Sequence, residues 1–196
     1  MNVTPLKNDT DLQKAFGKIA DTSQKEYIRK IAKLIIENEI SKDKIRAILS
    51  EFSIRSVKDI KDELLNLLID YANLILEDSL LTDNEKENFG FLKLYFEIKV
   101  GDFYKFKYQE IKTILHKEFE KLYADDLVTQ EESEYNVILQ DMFDLSYDQF
   151  DKIKEEVVLK SIERGANITD LDTANIKILK KKNTLKEIFE KIYNKF

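Results

Sequence analysis

The chain has 196 residues, enough for a domain with a genuine core, and its apolar fraction of 43% belongs to globular rather than disordered proteins. Four glycines and one proline are too few for a turn-rich β architecture, and the lack of cysteine excludes disulfides and thiolate metal sites. The net charge of −6 is uneven: residues 177–196 hold seven Lys and two Glu, a balance of +5, so the rest carries −11, which repels phosphate backbones and argues against nucleic-acid binding by the main domain.

Taken in chain order, residues 1–20 read as a flexible lead without the basic-then-apolar pattern of a signal peptide. From Asp21 the pattern turns helical, with Tyr27, Ile31, Leu34 and Ile35 at helical spacing. Ser41 precedes a short helix carrying Ile45, Ile48 and Leu49. Ser56 with Asp59 forms a capping pair ahead of a longer stripe: Ile60, Leu64, Leu67, Leu68, Tyr71, Leu74 and Ile75. Thr82 and Glu85 open a helix whose apolar residues (Phe89, Phe91, Leu92, Leu94, Tyr95, Phe96, Ile98) cover much of its circumference, which predicts a central position.

Gly101 breaks that helix, and Asp102 starts the next, with Ile111, Ile114, Leu115, Phe119 and Leu122 inward. Thr129 and Glu132 open another, Ser146 and Gln149 a further one that Gly165 ends, and Thr184 and Glu187 a last one. The expectation is an all-α fold: a single compact multi-helix domain over 21–165, followed by a linker and a basic amphipathic helix over 166–196. No apolar run reaches the roughly 18–20 residues of a membrane span, and the expected location is the cytoplasm.

One segment recurs. EDSLLTDNE at 77–85 returns 47 residues later as ADDLVTQEE at 124–132, and the register continues through Leu92 and Leu139, Phe96 and Phe143, and Phe103 and Phe150. A period of this size is that of a helical supersecondary unit, so an internal two-copy helical-hairpin pseudo-repeat is expected. In both copies acidic residues gather in the interhelical turn, and two readings are open. Asp78, Glu85, Asp125, Asp126 and Glu132 carry the hard oxygens that hold Ca2+ or another divalent cation. Alternatively, Thr-x-x-Glu is a capping box with acidic groups at the positive end of the helix dipole. The loops are not EF-hands, because Leu80 and Leu127 occupy ligand position 3 and no glycine stands at position 6.

No catalytic constellation is visible. The single histidine, His116, lacks the partners that zinc or di-iron chemistry needs, and no Gly-rich phosphate loop or nucleophile motif occurs. The expectation is a non-enzymatic protein-interaction module. Phe103, Tyr104, Phe106 and Tyr108 are denser than one helical face buries, so part of this cluster is a candidate partner surface. Lys180, Lys181 and Lys182 in the basic tail are a second candidate, for an acidic partner or, as a membrane-surface adaptor, for anionic lipid.

At the recurrence the chain resembles the TerB-like family, the helical domains named after bacterial tellurite-resistance operons. The matching pieces are an aspartate, an apolar pair and a Thr-x-x-Glu helix start at 78–85 and 125–132, with Leu145 to Phe150 resembling the family's short turn into the next helix, over roughly residues 60–163. Where the family often has glycine after the aspartate, this chain has Ser79 or Asp126. The resemblance implies an all-helical domain with acidic turns, metal sensing or protein interaction, and a setting in bacterial stress response or phage defence.

Overall fold

A computed structural model describes residues 6–7, 10–77, 81–122 and 130–163, and among them every regular element is a helix. The chain divides into two compact units, residues 1–110 and 111–196, where the sequence reading sees one domain. No helix among the described residues is long and apolar enough to cross a membrane.

The first unit begins with α1 (Thr10–Thr22), which takes up the second half of the 1–20 stretch expected to be a flexible lead. Leu12, Ala15, Phe16, Ile19 and Ala20 form a buried stripe on it. Two of the five are alanines, so the stripe is thin as a sequence signal. Its burial against α2 (Glu26–Ile36) and α4 (Lys61–Ile75) makes the helix worth forming. Leu6 and Lys7, ahead of α1, are also tied down: Asn88, fully buried, accepts from the Lys7 N–H at 2.7 Å and donates to its carbonyl at 3.1 Å, and Asn38 donates to the Leu6 carbonyl.

Local capping chemistry sets most boundaries. The Ser41 hydroxyl accepts from the Lys44 N–H to start α3 (Lys42–Glu51). Ser56 and Asp59 form a reciprocal box around a 3-10 turn (Val57–Ile60) that leads into α4. Thr82 and Glu85 do the same for α5 (Asp83–Tyr95). Helix ends are equally regular: α2, α3 and α5 each close on a left-handed residue, Asn38, Ser53 and Glu97, with φ of 53°, 57° and 54°. The next N–H in each case reaches back five residues, as from Ile98 to the Lys93 carbonyl, which satisfies the last carbonyls of the helix.

A series of rings runs through this unit, one from each of four helices. Phe16 lies 5.7 Å from Tyr71, Tyr71 6.3 Å from Phe89, and Phe89 6.1 Å from Phe103. Phe103 belongs to α6 (Asp102–Phe106), a single short helix that Gly101 starts in a left-handed conformation at φ 84°. The sequence reading joins α6 to the following helix. The structure interrupts them at Lys107 and begins α7 (Tyr108–Leu122) afterwards.

The second unit holds most of α7 with α8 (Gln130–Met142) and α9 (Tyr147–Glu163). Its core includes Ile111, Leu115, Phe119, Leu139, Phe143, Phe150, Ile153 and Val157, with Phe119 edge-on to Phe150 at 5.2 Å. Ser146 and Gln149 cap α9 reciprocally, as their spacing predicts. Helices α5 and α8 are both 13 residues long and start 47 residues apart. Each is closed by the same left-handed cap, at Glu97 and at Asp144, with matching bonds from Ile98 to Lys93 and from Leu145 to Gln140.

Candidate functional site

Of the acidic turn residues, Glu85 is the one whose side chain is described. It is 4% exposed. Its Oε2 accepts from the Thr82 N–H and from the Thr82 hydroxyl, both at 2.7 Å, while the Glu85 N–H donates back to that hydroxyl at 3.3 Å. The carboxylate thus neutralises the exposed donors at the start of α5 and is taken up by them. Asp78, Asp125 and Asp126 lie outside the described residues, as do Thr129, Gly165, the expected last helix and Lys180, Lys181 and Lys182. Glu132 lies within α8, with its side chain outside the description. Among the described residues no three His, Asp or Glu side chains converge as a metal site.

The aromatic segment divides by burial. Phe103 is completely buried in the ring series and offers nothing to a partner. Tyr104 and Tyr108 are half-buried and pack edge to face at 5.1 Å. Phe106 is 46% exposed. Two exposed apolar residues lie just ahead of it: Leu94 at 61%, which the sequence places in the wide stripe of α5, and Val100 at 84%, which the sequence reading does not single out. Leu94 shares α5 with the buried Leu92 but is rotated from it by about 200° on the helix, so it faces away from the core. The wide apolar stripe of α5 is therefore only partly used for burial.

Phe106 is set in a charged frame. The Lys105 ammonium lies 4.8 Å and the Lys61 ammonium 5.9 Å from its ring centroid, within reach of the negative ring face. Two ion pairs link consecutive residues at the start of α4 to the two ends of α6. Lys61 meets Asp102 at 2.5 Å, and Asp62 meets the nearly buried Lys107 at 2.7 Å. Burial opposes the charge on Asp102. The hydrogen bonds from Lys61 and from the Lys99 N–H (2.8 Å), with both lysine charges, outweigh it and hold the carboxyl below the usual range. This clamp spans about forty residues of chain and fixes the short helix, and with it Phe106, in place.

Two shallow clefts flank the Lys25–Glu63 ion pair in the same unit. One, of about 570 Å3, is lined by Tyr27, Phe52, Ser53, Arg55, Asp59 and Glu63 among others. The other, of about 380 Å3, includes Lys25, Asp62, Glu63, Asn66 and Asp70. Burial works against ionisation of Glu63, but hydrogen bonds from Lys25, the backbone and Tyr27, with the Lys25 charge, keep its carboxyl low. Desolvation pushes Asp70 up against the pull of Lys18. Neither lining contains a nucleophile held by a base, the pairing that covalent chemistry needs.

His116 sits 3.6 Å from Glu156, which also pairs with Lys112 at 2.8 Å. Comparison with protein-family models, curated proteins and solved structures finds no match to this chain.

Proposed function

We propose that this chain is a non-catalytic helical adaptor of the TerB-like kind, acting in the bacterial cytoplasm, and that a protein partner docks on the corner where α5 turns into α6. One observation carries this reading: Val100 and Phe106 stand exposed on a corner that the Lys61–Asp102 and Asp62–Lys107 pairs hold rigid. Exposed apolar side chains held in a fixed geometry lose little entropy on binding, which is what a docking surface needs. The equal lengths and matching caps of α5 and α8, 47 residues apart, support the TerB-like part of the reading. The stress-response or phage-defence setting comes with that resemblance.

The test is affinity capture from host cells with the full chain and with Val100→Ser/Phe106→Ser, which gives up about half of a phenylalanine's burial and so costs about 1–2 kcal/mol of stability. Proteins retained by the parent and lost by the variant are the expected result. Identical captured sets, with both chains folded by circular dichroism, refute the docking corner.

A further inference from the structure

The corner has a charge opposite in sign to that of the chain as a whole. Residues 93–107 contain four lysines against Glu97 and Asp102, a local excess of two positive charges in a chain whose net charge is −6. The ion pairs remove Lys61, Asp62, Asp102 and Lys107 from this balance, since they neutralise one another. Three lysines and Glu97 remain: Lys93 is half-buried with its ammonium 6.0 Å from the Phe89 ring centroid, whereas Lys99 and Lys105 are exposed, neither in an ion pair among the described residues, and each next in sequence to an exposed apolar residue, Val100 or Phe106.

Backbone geometry brings Lys99, Val100, Lys105 and Phe106 together. The Asp102 N–H donates to the Lys99 carbonyl at 2.9 Å, closing one tight turn, and the Lys105 N–H donates to the Gly101 carbonyl at 2.9 Å, closing a helical turn. A turn spans under about 7 Å between its end Cα atoms and a helical turn rises about 5.4 Å. Residues 99–106 therefore form one compact turn-and-helix segment carrying two exposed cations and two exposed apolar side chains.

Resting on the docking reading above, we infer that the partner presents a short acidic segment carrying an aromatic or aliphatic anchor: its side chain covers Val100 and Phe106, and its carboxylates meet Lys99 and Lys105. Charge range decides between this and an anionic membrane or nucleic acid. An extended anionic surface faces a whole side of the protein and meets the net negative charge. A short peptide feels little beyond a Debye length of about 8 Å, where the lysines dominate. Two exposed apolar side chains also match a short linear segment better than the broad patch of an obligate interface.

The probe is a phage-displayed random 12-residue peptide library selected against the full chain, with the best peptides measured by fluorescence anisotropy. Selected peptides are expected to be rich in Asp and Glu around a Phe, Trp or Leu. Lys99→Glu/Lys105→Glu weakens them about tenfold or more, and raising NaCl from about 0.05 to 0.5 M weakens the parent complex more than that variant's. Peptides that bind through Phe106 but show neither acidic enrichment nor sensitivity to the lysine reversal overturn the inference and leave the docking corner standing. Peptides indifferent to Phe106→Ser, or a selection that yields none, overturn both. Binding to phosphatidylserine-containing vesicles that is lost with Lys99→Glu/Lys105→Glu also overturns it, in favour of a membrane.

Discussion

Glu85 separates a capping role from a cation-binding one, because the two predict opposite consequences for stability. In Glu85→Ala, the Thr82 N–H and hydroxyl lose the acceptor they share at 2.7 Å. A hydrogen bond to a charged acceptor contributes about 1.5–3 kcal/mol net. Removing a buried carboxylate returns part of its desolvation cost, so a loss of about 2 kcal/mol is expected. Glu85→Gln keeps an acceptor without the charge, and neutral bonds are roughly half as strong, so about 1 kcal/mol is expected there. Thr82→Ala costs about 1 kcal/mol, and the double variant Thr82→Ala/Glu85→Ala loses less than the sum of the two, since both changes remove the same bonds. Urea unfolding followed by circular dichroism, with hydrogen exchange at the α5 amides to assign the transition to the first unit, measures these values. The order Ala, Gln, parent is to be the same in EDTA and in millimolar calcium. Glu85→Ala as stable as the parent, or a calcium-dependent rise in melting temperature that Glu85→Ala abolishes, refutes the capping account, because a ligand of the folded state must raise that temperature.

Three further outcomes are expected. Asn136 in α8 is buried, and neither its carbonyl nor its amide nitrogen has a hydrogen-bond partner among the described residues; Asn136→Leu relieves that desolvation and is expected to add about 1–2 kcal/mol, read from the urea midpoint, with a loss counting against the burial account. A Cβ on Gly90 or on Gly101 meets no atom within 4 Å, yet Gly90 is helical and Gly101 has φ 84°; Gly90→Ala is therefore expected to stabilise by about 0.5–1 kcal/mol and Gly101→Ala to destabilise by about 1–2 kcal/mol, read from the same urea midpoints. Asp102 and Glu63 titrate below their usual range in the folded chain, so their contribution is full above the unfolded values of about 4 and is lost as pH falls through the folded ones. Asp70, shifted upward, works in the reverse sense. In a urea series from about pH 6 to pH 3, Asp102→Asn is expected to begin less stable than the parent and to lose less on acidification; parallel curves refute the role of the clamp.

Local chemistry was readable from residue order, and the places where reading failed share one cause. Ser41, Ser56 with Asp59, Thr82 with Glu85, and Ser146 with Gln149 act within three residues, so their roles are legible in the chain and each forms the expected cap. Helix α1 has a thin stripe of Leu, Phe, Ile and two Ala, and only contact with α2 and α4 makes it a helix rather than a lead. The short α6 reads as the first turn of α7, and the interruption comes at Lys107, whose ammonium is held by Asp62 from 45 positions earlier. Within the aromatic segment, spacing says that not all four rings can be buried. Which one remains outside depends on Phe89, which claims Phe103 for the interior and leaves Phe106 at the surface.

Residue order by itself determined that this is a helical protein, where most of its helices begin, and that its charge is unevenly spread, because propensity, capping and composition are properties of neighbours along the chain. Tertiary structure decided which apolar residues are core and which are surface, and which lysines are neutralised in ion pairs and which are left exposed. Those outcomes depend on side chains brought together across forty or more residues, as Lys61 and Asp102 are, and no local pattern encodes such a meeting.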